Sequence, residues 1–334
     1  MKLSFFTTLF FINAFLNYPL AATEKSTTQS VTTNGDIPRL NALSVDEAKA
    51  ILADAGVPPD LLQTIRPYTK KSNIFLLKDP SGFQVVIAKF PGNKARRLRE
   101  ALSYDIAEVA KLNKVVAPVE VIGKNQEVLL ASYYQFYTQP VQSLEKLPDK
   151  DVLKKLYDAA QTTNGVLELD RVTVDPFSLF DKEAFEKFLV FSFLTFQHDA
   201  HDRNILLTLN NKGKLAPIAI DLEYAMTEDP IHYDPTLKHD LFQFPFLLGI
   251  TSDLPTLNLL NERPSKGIIS IVQSWNFSDF EPILIKYKLN TKDIQSFKER
   301  VADLKSSFQQ NNEKTIIEIF KQLYIKHGRS KGLL

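Results

Sequence analysis

Cysteine is absent from the 334 residues, tryptophan occurs once, methionine twice and glycine only 11 times. Without thiols there can be no disulfide and no cysteine metal ligand, so the core must be stable on packing alone in any redox compartment. Histidine clusters with metal-ligand spacing and internal repeats are lacking too. Neither sign of charge dominates, since 40 Lys and Arg against 39 Asp and Glu leave a formal +1. That balance gives no field to attract nucleic acid or an acidic membrane surface, and no nucleic-acid partner is predicted. The densest basic cluster, Lys94, Arg96, Arg97 and Arg99, is read as the solvated face of a helix. Long apolar runs are missing except at the N-terminus, where Met1-Lys2 precedes Leu3 to Leu16 and Leu20-Ala21-Ala22 offers small residues for cleavage. The run is shorter than the ~20 residues of a spanning helix and contains Thr7, Thr8 and Asn13. Residues 1–22 are therefore predicted to be a secretory signal peptide, leaving a mature chain from near Thr23 that is secreted or exported and has no transmembrane segment.

Chemistry is concentrated in Gln197 to Leu207, which reads QHDAHDRNILL, and in Ile218-Ala219-Ile220-Asp221 after a polar turn. Ile205 to Leu207 and Ile218 to Ile220 predict two short buried strands whose ends place Asn204 and Asp221 beside each other. Phosphoryl transfer from ATP requires a carboxylate near the attacking hydroxyl and oxygen ligands that hold Mg²⁺ or Mn²⁺ against the phosphates. Asp199 supplies the base, and Asn204 and Asp221 supply the metal ligands. His201, inside the loop, is assigned a structural or charge-stabilising part in catalysis. The alternative is a polar hairpin that happens to hold two acids and an amide.

Upstream, Val85-Val86-Ile87-Ala88-Lys89-Phe90 is an apolar strand with one lysine, where a charge is costly unless it meets an anion. Lys89 is thus the candidate phosphate ligand. The helical pattern from Asn93 to Lys111 carries Glu100 in its first half, where it can pair with Lys89. A resemblance to kinases implies a hinge at the end of the strand over Glu127 to Tyr137, where backbone groups near Tyr133 to Phe136 would bond adenine, with Tyr134 and Phe136 as candidate nucleotide contacts; the alternative is an aromatic-rich strand that packs a core. Lys70-Lys71-Ser72-Asn73 stands where a glycine-rich phosphate turn would be expected, and Ser72 or Lys70 is the candidate substitute contact.

The run Ile74 to Gly82, the strand to Lys89 and Arg99-Glu100-Ala101-Leu102-Ser103-Tyr104 resemble the small lobe of the phosphatidylinositol 3/4-kinase-like branch of the protein kinase superfamily. That branch's DRHxxN loop is similar to Asp199-Ala200-His201-Asp202-Arg203-Asn204, with Ala200 in place of its arginine. Its IDFG metal element falls on Ile220-Asp221-Leu222-Glu223. The resemblance implies an α+β, two-lobed protein-kinase-like fold with a small antiparallel-sheet lobe and a mainly helical large lobe. It also implies an ATP-dependent kinase acting on a lipid or protein phosphoacceptor. Aminoglycoside and choline kinases compete, because Ile220-Asp221-Leu222-Glu223-Tyr224-Ala225 resembles their IDxEYA element. Both relatives assign the same roles to Lys89, Asp199, Asn204 and Asp221.

Around these motifs the predicted organisation is a Ser- and Thr-rich disordered tether over 23–36, a small lobe with an N-terminal helix over 37–140 and a helical large lobe over 141–334. Ser44-Val45-Asp46-Glu47 is a capping box that opens the first helix. Asp181 to Gln197 predicts a helix with Phe185, Phe188, Leu189, Phe193 and Phe196 on one core-facing stripe. Later helices are predicted over Leu237 to Leu248, Asp279 to Tyr287, Thr291 to Phe308 and Glu313 to His327. Thr227 to Asp234 is acidic, which disfavours a polyphosphorylated lipid and leaves unphosphorylated phosphatidylinositol, a basic protein segment or a cationic small molecule. A kinase bearing a signal peptide is expected to work in an ATP-containing host compartment, as an effector, or in a secretory lumen. A non-catalytic pseudokinase is the remaining alternative.

Overall fold

The Ser44 hydroxyl accepts from the Glu47 N–H at 3.2 Å while the Glu47 carboxylate accepts from the Ser44 N–H at 2.8 Å. This reciprocal cap satisfies two N–H groups that the first helical turn leaves without partners, and it opens α1 (Val45–Asp54). Gly56, at φ +87°, lets the chain turn out of α1. Pro59 then starts α2 (Pro59–Gln63), where its missing N–H costs nothing. The computed structural model describes residues 43–67, 73–78, 84–90, 94–112, 114–123, 128–134, 167–168, 180–196, 205–209, 214–222, 225–226, 261–310 and 313–330, with a few positions between 151 and 158.

Five strands, β1 (Arg66–Pro67), β2 (Ile74–Lys78), β3 (Gln84–Lys89), β4 (Val119–Ile122) and β5 (Val128–Tyr134), form one antiparallel sheet in the order β1-β2-β3-β5-β4. The helix α3 (Lys94–Val109) joins β3 to β4. Because successive strand residues point to opposite faces, the sheet separates into two layers. Phe75, Leu77, Ala88 and Leu130 pack with Ala48, Leu52 and Leu61 from α1 and α2. Leu76, Leu129 and Ala131 pack on the other side with Ala101 of α3 and with Ile220. Both faces are covered, so the strands read as almost continuous apolar runs.

A second antiparallel sheet contains β6 (Leu167–Glu168), β7 (Ile205–Leu209) and β8 (Leu215–Ala219), in that order. Around it stand α4 (Lys182–Leu194), α5 (Lys266–Ser274), α6 (Phe277–Lys286), α7 (Thr291–Gln310) and α8 (Ile316–Ser330). The result is α+β, a small antiparallel sheet followed by a mainly helical region, as the kinase-like reading expects. The predicted single stripe on α4 is corrected by the structure, because Phe185, Phe188, Leu189, Val190, Phe191, Phe193 and Leu194 are all buried. The reason is its central position, with β8, α5 and α7 all packed against it. Helix α5 has no counterpart among the predicted elements, and the predicted helix over Leu237 to Leu248 lies outside the described residues. Among the described residues no helix is long and apolar enough to cross a membrane.

Two charged side chains hold this core together from inside. Glu186 of α4 is buried and accepts from the Ser265 N–H at 2.8 Å and from the Ser265 hydroxyl, fixing the residue that caps α5. Burial pushes the Glu186 carboxyl above its ordinary value, while the hydrogen bonds from Ser265 pull it partly back. Arg300 of α7, also buried, donates from Nε to the Leu194 carbonyl at 2.9 Å and lies over the Phe196 ring, so the C-terminal end of α4 is anchored to α7.

Phe188 is fully buried in the main core. Phe188→Ala removes a ring from the centre of that layer and should lower the unfolding free energy by about 3–5 kcal/mol, read as a shift in denaturant midpoint at constant slope. A loss below about 1 kcal/mol would mean that α4 is not the central element.

Candidate active site

Lys89 ends β3, and its direction follows from the alternation of the strand. Ala88 and Phe90 face α1 and α2, so the side chain between them is directed to the layer that holds α3. There the ammonium meets Glu100 Oε1 at 2.8 Å. It also meets Asp221 Oδ1 at 2.9 Å, across 132 residues of sequence. The Lys89 and Glu100 side chains are only 15% and 5% exposed, whereas Asp221 is 40% exposed. The group thus has a dry end at Glu100 and a wet end at Asp221.

Each partner is delivered by a separate element. Glu100 lies in the first half of α3, whose Leu102 and Ile106 are fully buried in the main core. Asp221 follows β8 by two residues and adopts φ +56°, a left-handed conformation that non-glycine residues visit rarely and Asp more easily than most. Ile220 before it and Leu222 after it are buried, which clamps the turn on both sides. Phe196 (φ +45°) and Met226 (φ +59°) share the left-handed region, and the Met226 N–H donates to the Thr195 carbonyl at 2.7 Å. The end of α4 and the segment after Asp221 are therefore tied together by their backbones.

Asp199, His201 and Asn204 lie outside the described residues, and so do Ser72, Lys70 and Phe136. Only their flanks are placed. Ile205, next to Asn204, pairs with Ala219 in the β7–β8 ladder, two residues before Asp221. Tyr134 is the last residue of β5 and pairs with Gln84 of β3. The structure brings Lys89, Glu100 and Asp221 together, and sets Ile205, the residue after Asn204, opposite Ala219 of β8.

Several supports of this group were not legible beforehand. Arg99 is partly buried, and its Nη1 donates to the Ala225 carbonyl at 2.9 Å, which corrects its assignment to a solvated helix face. On the far side of α3, Asp105 Oδ2 accepts from Lys286 Nζ at 2.8 Å and from the Tyr287 hydroxyl at 2.9 Å. Burial, together with the adjacent Asp105, pushes the Tyr287 phenol up to about 12. The single tryptophan, Trp275, donates from Nε1 to the Ala110 carbonyl at 3.0 Å, just past the last turn of α3. No sequence signal announces these contacts, because they join α3 and its end to segments 126 to 182 residues away.

The group suits a nucleotide and a hard cation. A shielded ammonium can meet a phosphate oxygen, and a half-exposed carboxylate can serve as one Mg²⁺ ligand beside a further protein oxygen and phosphates. No cluster of three or more His, Asp or Glu able to hold a metal by itself occurs among the described residues.

Lys89→Met takes the ammonium away from the Glu100 carboxylate in a nearly dry site and should cost about 3–5 kcal/mol of stability, whereas Lys89→Met combined with Glu100→Gln should recover most of it. Urea midpoints of the parent and the two variants test this. If Lys89→Met alone is as stable as the parent, the pair is not the buried contact seen here.

No protein-family model matches the sequence, and no curated protein matches it. Among solved structures the chain is similar to one described as the crystal structure of a Helicobacter pylori proinflammatory kinase CtkA. The match has 16% sequence identity and a TM-score of 0.35, over 78% of this chain and 96% of that one.

Proposed function

We propose that the protein is an ATP-dependent phosphotransferase that moves the γ-phosphoryl group of ATP to a hydroxyl of a lipid of the phosphatidylinositol type or of a protein. One observation carries the reading. Lys89, Glu100 and Asp221, from a strand, a helix and a left-handed turn, converge within 2.8 and 2.9 Å contacts at the margin between the small sheet and the helical region. A structural salt bridge has no need of a third, half-exposed charge; a phosphate site does.

In this reading Mg·ATP, when bound, supplies the phosphoryl group and a cation that neutralises the charge developing on it. Lys89 binds phosphate oxygen, and Glu100 holds the ammonium in place. Asp221 and Asn204 would hold the metal. Asp199 would orient the acceptor hydroxyl and take its proton as the new oxygen–phosphorus bond forms and the bond from the γ-phosphorus to the β-phosphate oxygen breaks to release ADP, while His201 would support the loop. Tyr134, Phe136 and Ser72 are the proposed nucleotide contacts.

The acceptor class rests on the acidic run Thr227 to Asp234, which favours an acceptor without several phosphates of its own. The same acidity, together with Ile220 to Ala225, supports a second reading, a kinase of cationic small molecules of the choline or aminoglycoside sort. The apolar run from Leu3 to Leu16 supports export through a signal peptide, and hence action where ATP is available beyond the site of synthesis, in a host cell or a secretory lumen.

ATP with Mg²⁺ or Mn²⁺ should raise the heat-unfolding midpoint of the protein well beyond ATP alone. Asp221→Asn should abolish that metal-dependent rise and Asp199→Asn should keep it, with both variants inactive in a radiolabelled transfer screen against phosphoinositides, protein mixtures and aminoalcohols. Equal responses with and without metal would sink the reading. A full biological effect from Asp199→Asn would move it to a pseudokinase.

A further inference from the structure

Arg99 and Glu100 are consecutive on α3, so their side chains leave the helix roughly 100° apart. Glu100 reaches Lys89 on the sheet, and Arg99 reaches the turn after β8. The acceptor there is well fixed. Ala225 is fully buried, its N–H donates to the Leu222 carbonyl at 3.0 Å, and the next residue is bonded to Thr195 at the end of α4. Asp293, in the first turn of α7, is buried and held by Asn290 Nδ2 at 3.0 Å. Burial pushes the Arg99 guanidinium down from its ordinary value and the Asp293 carboxylate draws it back up. The helix carrying Glu100 and the turn carrying Asp221 thus share one side chain.

We propose that Arg99 is a positioning residue. Its bond to Ala225 locks α3 to the turn that begins at Asp221, so that Glu100 and Asp221 reach Lys89 together without any further partner to push α3 into place. The role rests on the phosphotransferase reading, and it assigns to an intrachain contact the placement of α3 on which nucleotide affinity depends.

The experiment uses the full chain as parent, Arg99→Met, Glu100→Gln and the double variant, with two readouts. Amide hydrogen exchange without ligand should be faster in Arg99→Met over both 98–110 and 222–226, two segments far apart in sequence, while 316–327 is unchanged. Affinity for Mg·ATP, from the concentration dependence of the unfolding midpoint, should fall about tenfold in Arg99→Met. The double variant should bind within about twofold of Glu100→Gln alone, because Arg99 acts through Glu100. Losses that multiply, or an unchanged affinity in Arg99→Met, overturn the role, and unchanged exchange in either segment overturns the lock. Should Arg99→Met not fold, Arg99→Lys, which keeps the charge without the planar fork, carries the same comparison. A parent that ignores Mg·ATP sinks the phosphotransferase reading instead, and exchange alone then decides whether Arg99 joins the two segments.

Discussion

The ammonium of Lys89 is the point on which the rest of the site depends. A charge taken out of water costs several kcal/mol unless opposite charges meet it at hydrogen-bond distance, and here two do, from Glu100 and Asp221. Such pairs often add little net stability compared with apolar packing. Everything around the group serves to make three distant positions arrive together: the alternation of β3, the burial of one face of α3 and the left-handed turn after β8.

The helical region is the rigid frame behind that convergence. Asp105 with Lys286 and Tyr287, and Trp275 with the Ala110 carbonyl, fasten the back and the end of α3 to α6 and to the residue between α5 and α6. Arg300 does the same for the end of α4. The left-handed Phe196, Asp221 and Met226 are conformations that cost free energy and persist only when neighbours over-determine them. The bond from Met226 to Thr195 and the buried side chains on both sides of Asp221 provide that over-determination. Exposed ion pairs such as Lys286 with Asp105 are individually weak, so α3 is held by their sum with the buried Trp275 contact and the core.

Local signals carried much of the fold. The capping box at Ser44 starts α1 where the pattern places it, and β2 runs over Ile74 to Lys78 as its apolar run indicates. The strands on either side of the polar turn are visible as apolar segments, although β8 spans Leu215–Ala219 instead of Ile218 to Ile220. Ending one residue earlier than expected, at Ala219, the strand leaves Asp221 beyond the ladder, in a turn, and not at a strand end. Helix α5 escaped notice since its nine residues follow a polar stretch with no capping box. The breadth of burial on α4 escaped because periodicity reports one favoured face, and a helix surrounded on every side has none.

What the sequence determined by itself was the inventory and its order: a lysine in an apolar strand, an acid in the next helix, an Asp-His-Asn loop and an acid after a later strand. These are local patterns of spacing and polarity, and local patterns are what a linear chain displays. Tertiary structure decided which of these groups meet. Only the packed sheet tells Lys89 which face it occupies, and only the turn after β8 directs Asp221 to it. Arg99 reads as one of several surface cations until the segment at Ala225, 126 residues away, is folded against it. The physical reason is that burial and partner choice are properties of contacts between remote segments, which no local pattern encodes.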